Sequence, residues 1–334
     1  MPRLSSRRHY AHLGLVAALL LLPVAFPDPG VLYVINMIFL MAIPAMSLNI
    51  IMSTGHVNFA HAAFVAIGAY TSALLSIKVG LSFWLCLPLT GITGALIAWC
   101  LGWVILRIKG PYFFLVTVAF SEVVIRSLTR YKEVTGGHQG IEQIPKPSIT
   151  ISNLFAFRFA SEISFYYLIL ILMLLSLVIM YRLQRGHWGL TWRATRESDI
   201  VAESAGVDVI GYKVRAFSTS CFFASIGGSL YAHYVSFINP GSFGLLMMFG
   251  LLFSVIVGGR EYFLGPIIGL ALLRSFSTAV ARMAEYEPMM YGGVLIVIIL
   301  FLPAGVASLP SAVARRWPKI QNLYRSTASE ATRN

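Results

Sequence analysis

Ten apolar runs follow one another along this chain, each bounded by Gly, Pro or charge, at residues 10–26, 31–52, 57–77, 83–106, 112–128, 164–183, 214–238, 245–257, 263–281 and 289–309. A helix needs about 20 consecutive apolar residues to cross the hydrocarbon core of a bilayer. The runs are of that order, and they leave little chain over for anything else. Composition agrees: 57% of the residues are hydrophobic and 11% charged, against roughly a quarter charged in a soluble domain, so the chain could not cover a water-facing surface. The expected fold is therefore all-α, a polytopic transmembrane helical bundle of about ten spans. Soluble enzymes, nucleic-acid modules and disordered scaffolds are excluded.

The net charge is +12, but its placement matters more than its sum. Membrane proteins concentrate Lys and Arg in their cytoplasmic loops. If the N-terminus is cytoplasmic, the inside segments hold seventeen of the 25 basic residues, among them Arg3, Arg7, Arg8, Arg193, Arg196 and Arg315, and the outside segments hold six. That asymmetry requires an even number of spans with both termini in the cytoplasm. Arg3, Arg7 and Arg8 before an apolar run also resemble a signal peptide, but Pro23, Pro27 and Pro29 stand where a cleavage site needs small residues. An uncleaved first span is expected. Cys86, Cys100 and Cys221 lie inside apolar runs without C-x-x-C spacing, which suggests neither a zinc site nor a disulfide framework.

Two loops stand out by length. The outside loop, 131–163, contains Thr135-Gly136-Gly137-His138-Gln139-Gly140; the inside loop, 184–212, carries mixed charge around a helix-like middle. The expected organisation is a membrane domain over 1–309 and a basic cytoplasmic tail over 310–334.

No G-x-x-x-x-G-K-[ST] phosphate loop, H-E-x-x-H or G-x-S-x-G occurs, so no catalytic residue, metal site or cofactor is expected. ATP-driven work would need a motor on another polypeptide. The stretch 189–207 reads as one short amphipathic helix ended by Gly206, a normal stop residue. Ile200, Val201 and Ala205 offer a small apolar contact, while Arg193, Arg196, Glu197, Asp199 and Glu203 would be solvated or pair with a partner. Either a docking segment or a plain surface helix fits that pattern.

Between the second and third runs lie Asn49, Ser53, Thr54, His56, Asn58 and His61, an unusual density of polar groups beside two apolar helices. Polar groups there are costly unless paired or turned to a water-filled path. Ala60, Ala62, Ala63, Ala66, Gly68 and Ala69 then permit close helix packing. A broken helix lining a route is one picture; histidines that satisfy backbone carbonyls freed by the break is the other. Glu122 and Arg126, four apart, share a helix face and can neutralise one another. Asn49, His56, Asn58, His61, Thr117 and Glu122 form the candidate pathway set.

Several blocks in order, GHVNFAHAAFVAIGAY (55–70), LRIKGPYFFLVTVAFSE (106–122), TGGHQGI (135–141), the inside loop, Tyr231-Ala232-His233-Tyr234 to Pro240, and Gly258-Gly259 to Gly265-Pro266, resemble the M-type permease subunit of the branched-chain amino-acid ABC importers. The likeness runs from about Val31 to Pro303. It implies a coupling segment at Arg193 through Gly206, with Arg196, Glu197 and Glu203 among its residues, that meets an ATPase subunit. It also implies a sister permease, two ATP-binding cassette subunits that use the ATP, a periplasmic solute-binding protein, and residence in a bacterial inner membrane. His56, Asn58 and Ala60 replace the family's usual Gln, Ser and Gly, and Arg260-Glu261-Tyr262 replaces its Leu-Gly-Ser. Those departures leave the solute open among branched-chain amino acids, urea, amides and aromatic acids. An ion-driven secondary transporter is the competing class, but it should carry several intramembrane carboxylates, and Glu122 is the one clear candidate.

Overall fold

The structure, a computed structural model, describes residues 19–108, 112–152 and 155–280 and scattered positions between 289 and 309. Arg3, Arg7, Arg8 and the tail 310–334 lie outside the described residues, and the tenth run is described only in part. Two compact units divide at Met248 and Phe249.

In the first unit, a helix α1, described over 19–25, precedes α2 (Pro29–Met52), α3 (His61–Lys78), α4 (Phe83–Ile105), α5 (Tyr112–Arg130) and the single turn α6 (Lys132–Thr135). A strand pair β1 (Ser148–Ser152) and β2 (Phe155–Arg158) leads into α7 (Glu162–Arg185), α8 (His187–Glu197), α9 (Asp199–Ser204) and α10 (Val209–Val235). Helix α11 (Leu245–Gly258) follows a 3-10 turn at Pro240–Phe243, and α12 (Gly265–Val280) follows α11. Five of these segments are long and apolar enough to cross a membrane, among the described residues: Pro29–Met52, Phe83–Ile105, Tyr112–Arg130, Glu162–Arg185 and Pro240–Gly258.

Helix α10 is the hub, packed against α2, α3 and α4. Lipid offers no hydrophobic drive between helices, so association depends on close backbone approach and inter-helix hydrogen bonds, and α10 is built of the residues that permit both. A Cβ on Gly68 of α3 would lie 2.0 Å from the Ser225 carbonyl oxygen, and one on Gly228 of α10 would lie 1.9 Å from that of Val65. The hydroxyls that remain are used across the seams. Ser220 donates to the Ser47 carbonyl (2.6 Å), Ser225 to that of Phe64 (3.0 Å), and Ser229 to Ser72 Oγ (2.8 Å). The outward faces of α4 and α7 carry exposed Trp84, Leu89, Leu96, Trp103, Ile171 and Leu175, an apolar rind suited to lipid.

The all-α expectation misses one element. The loop 131–163 contains an antiparallel ribbon, Ser148 opposite Arg158, with an irregularity between Thr150 and Ser152. The glycine-rich stretch before it turns tightly, with Gly136, Gly137 and Gly140 all at positive φ. It is fastened to the far end of α10, because Ile141 and Ile238 exchange backbone hydrogen bonds (2.8 and 3.0 Å) and His233 Nδ1 meets the Pro145 carbonyl at 2.7 Å.

The loop 184–212 also differs from expectation. Two helices replace the single helix expected over 189–205, because Ser198 is extended (φ −162°, ψ 117°) and caps α9 by accepting from the Val201 N–H. Gly206 does end the segment: its N–H bonds the Glu203 carbonyl and the Val207 N–H bonds that of Ala202, the paired closure of a left-handed glycine stop. In the second unit, a Cβ on Gly258 would sit 1.8 Å from the Gly265 carbonyl oxygen and one on Gly269 would sit 2.0 Å from that of Ser254, so α11 and α12 also cross on glycine.

Gly68→Ala and Gly228→Ala should each cost roughly 2–3 kcal/mol by forcing the helices apart, seen as a lower apparent melting temperature in detergent. Gly250→Ala, where an added Cβ meets nothing within 4 Å, should leave it unchanged or raise it.

Candidate functional site

The polar stretch is a helix end, a turn and a helix start. At the end of α2, Ser53 Oγ donates to the Ile50 carbonyl (2.6 Å) and Thr54 Oγ1 to that of Ile51 (2.7 Å), each adding a second donor to a carbonyl that already accepts the backbone N–H of the same residue. Gly55, at φ +86°, reverses the chain. Asn58 then accepts from the Ala60 N–H (2.9 Å) and points its amide at Cys221 Sγ of α10 (3.8 Å), a local turn that sets the start of α3.

His61, fully buried at the first position of α3, meets the Pro44 carbonyl at 2.9 Å and Ser47 Oγ at 3.0 Å through Nε2. A carbonyl can only accept, so Nε2 carries the proton. The histidine thus satisfies a backbone carbonyl, as one of the two sequence readings held, but that carbonyl belongs to Pro44 inside α2 and not to the break. His61 Nδ1 is buried without a hydrogen-bond partner.

His56 lies elsewhere. Its Nδ1 is 3.2 Å from the Thr54 carbonyl oxygen, and its ring meets Phe113 of α5 edge-on at 5.0 Å. Burial lowers its pKa, and the Lys213 charge lowers it further. One residue earlier, a Cβ on Gly55 would be 3.6 Å from Arg196 Cγ in α8. The turn therefore sits against the α8–α9 segment.

That segment is tied down on one side. Trp192, fully buried, donates from Nε1 to the Tyr212 carbonyl (3.0 Å), and Lys213 Nζ meets Asp199 Oδ2 at 2.7 Å with side-chain exposures of 6% and 27%. Asp199 was expected to be solvated or to pair with a partner; it pairs within the chain. On the other side Leu190, Ile200 (73% exposed) and Val201 (67%) face outward, with Arg193, Glu197, Glu203 and Gly206 also exposed.

Asn49, His56, Asn58 and His61 are thus gathered around one turn, with Asn49 buried near the end of α2. Thr117 is buried one turn beyond Phe113 and folds back on its own helix, donating to the Phe113 and Phe114 carbonyls at 3.0 and 2.9 Å. Glu122 stands about 13 Å along α5 from Phe113 and pairs with Arg126 at 2.7 Å on an open face, at 50% and 78% exposure. Lys213 and Phe113 were not among the expected site residues: Lys213 sits near the start of α10 outside any motif, and Phe113, although inside the 106–122 block, is one apolar residue among many there.

Residues 30–302 match the model of a family described as the permease component of branched-chain amino acid transport systems. The chain belongs to that family. Its relatives include the high-affinity branched-chain amino acid permease proteins LivM of Salmonella typhimurium, 34% identical over 86% of this chain and 73% of the relative, and of Escherichia coli K12, 33% identical over 87% and 74%. The probable LivH permease protein of Methanocaldococcus jannaschii is 24% identical over 86% of this chain and 93% of its own length. No solved structure matches. Membership of this permease family, together with the apolar helices, makes the chain a multi-pass membrane protein.

Because the folded pKa of His56 lies below the usual 6.5, the folded state resists protonation that the unfolded chain accepts. The contribution of His56 to stability is present above about pH 6.5 and is lost as pH falls toward the folded value. Lowering pH from 7.5 to 5.5 should destabilise the wild type more than His56→Gln, measured by thermal unfolding in detergent.

Proposed function

We propose that the chain is the membrane-spanning permease subunit of an ATP-driven importer that carries branched-chain amino acids into a bacterial cell across the inner membrane. Membership of the permease family supports the class of transporter, and the names of the two LivM relatives support the solute. The spans number about ten with both termini cytoplasmic. A sister permease, two ATP-binding cassette subunits and a periplasmic solute-binding protein complete the complex, and the chain itself uses no cofactor.

The observation that carries the mechanism is the two-sided α8–α9 segment. One side is bonded to the base of α10, and the other presents Leu190, Ile200 and Val201 outward beside Arg193, Glu197 and Glu203. Apolar side chains this exposed among charges fit a seat for a partner protein, and the partner an importer without its own phosphate loop needs is the ATPase. Arg196, against Gly55, ties that seat to the α2–α3 turn.

Glu122 and Arg126 suit the solute path. An ion pair half or more exposed in the middle of an apolar span is poorly placed against lipid, and it offers an acceptor and a donor to a solute that carries an ammonium and a carboxylate. His61, Asn58 and Thr117 are engaged with the frame that holds this face.

Ile200→Glu combined with Val201→Glu should reduce co-purification of the ATPase subunit at least tenfold while membrane abundance of the permease is unchanged. Undiminished co-purification would place the ATPase elsewhere.

A further inference from the structure

The α8–α9 segment could touch its ATPase and still deliver nothing to the membrane domain unless its inner side were rigidly joined to a helix that reaches across the bundle. Two bonds make that join. The Trp192 indole donates to the Tyr212 carbonyl, and Lys213 Nζ meets Asp199 Oδ2 at 2.7 Å. Trp192 is held by packing as well as by its bond, whereas Asp199 belongs to a six-residue helix that begins after the break at Ser198. The ion pair is therefore the contact that fixes α9, the part of the segment with the most exposed apolar residues, to α10.

Lys213 is the fifth residue of α10, and the 27 residues of that helix rise about 40 Å. Its far end holds the outer glycine-rich loop through His233 and Ile238. Arg196 of α8 lies against the α2–α3 turn, its Cγ 3.6 Å from where a Cβ on Gly55 would sit, and the next residue, His56, meets Phe113 at the start of α5 edge-on. A displacement of the α8–α9 segment therefore has a mechanical route to α10 through the ion pair and to the α2–α3 turn through Arg196.

We propose that the Asp199–Lys213 ion pair is the coupling joint of this permease: Asp199 and Lys213 are positioning residues that convert movement of the docked α9 into movement of α10, and so link ATP hydrolysis to solute passage. The pair sits on the inner side of the segment, away from Ile200 and Val201, so it acts after docking and not in it. This inference rests on the docking reading above.

The joint is tested in the assembled complex, reconstituted in vesicles with its ATPase and binding protein, by the ratio of leucine taken up to ATP hydrolysed. Single neutral variants leave one charge partly buried and unpaired, which is damaging in itself, so the informative variant is Asp199→Asn with Lys213→Met. It should keep normal ATPase stoichiometry and an ATPase rate within about twofold of wild type, with the uptake-to-hydrolysis ratio lowered at least tenfold. The exchanged pair, Asp199→Lys with Lys213→Asp, should restore at least a third of the wild-type ratio; if it gives no monodisperse complex, Asp199→Glu with Lys213→Arg takes its place and should match wild type. A wild-type ratio in the double neutral variant overturns the joint, as does a charged pair that performs no better than the neutral one. Uptake that falls only in proportion to lost ATPase subunits also overturns it, because the pair would then serve docking. Failure of the docking reading itself shows separately, as an Ile200→Glu, Val201→Glu complex that retains its ATPase.

Discussion

The close approach of α10 to α2, α3 and α4 is the constraint on which the rest of the first unit depends. Between helices in lipid, dispersion contacts and hydrogen bonds must replace the hydrophobic drive that a soluble core enjoys. At Gly68 against Ser225 and Gly228 against Val65 there is no room for even one more carbon. Serine meets the same demand in another way, since its hydroxyl is small enough for the seam and donates across it, as Ser220 and Ser225 do to α2 and α3. Had these positions been Leu or Val, α10 would stand off its neighbours, and both of its ends would lose their attachments.

Those ends carry the parts that face the two aqueous sides in the proposed orientation. At one, Tyr212 and Lys213 receive the α8–α9 segment; at the other, His233 and Ile238 receive the outer loop. The α2–α3 turn joins the first of these regions through Gly55 and His56. Pro44 and His61 show how the interior tolerates polarity, with His61 Nε2 close to the Pro44 carbonyl and Ser47 Oγ while Nδ1 is buried without a hydrogen-bond partner. Glu122 and Arg126 differ, since they have each other and an open face.

Much of this was legible in the sequence, and the limits have physical causes. Apolar runs located α2, α4, α5, α7 and α11 because a helix in lipid needs both length and hydropathy, and these show in a linear window. The break at residues 53–60 was legible from its polar density and Gly55. The resemblance correctly indicated the permease family. The division of the inner segment at Ser198 was present in the sequence as a Ser-Asp pair able to cap a new helix, but the longer amphipathic pattern hid it. The Asp199–Lys213 pair was not legible: 14 residues separate the partners, and they meet across a fold of the chain that the hydrogen bond from Trp192 to the Tyr212 carbonyl also closes. The neighbours of His56 were not legible for a similar reason, because a histidine next to a span reads the same whatever segment packs against it. The outer ribbon 148–158 escaped notice because two short strands in a loop have no apolar alternation strong enough to stand out.

In the proposed function this permease moves solute by coupling to ATP hydrolysis on partner subunits. The most direct test is the complex of permease, sister permease, ATPase and binding protein in lipid vesicles, with ATP hydrolysis and uptake followed together across leucine, valine, urea, amides and aromatic acids. The proposed coupling predicts hydrolysis stimulated by leucine or valine, with uptake that requires ATP and persists when ion gradients are collapsed. Uptake that follows a proton or sodium gradient, without stimulated hydrolysis by any of these solutes, would contradict it.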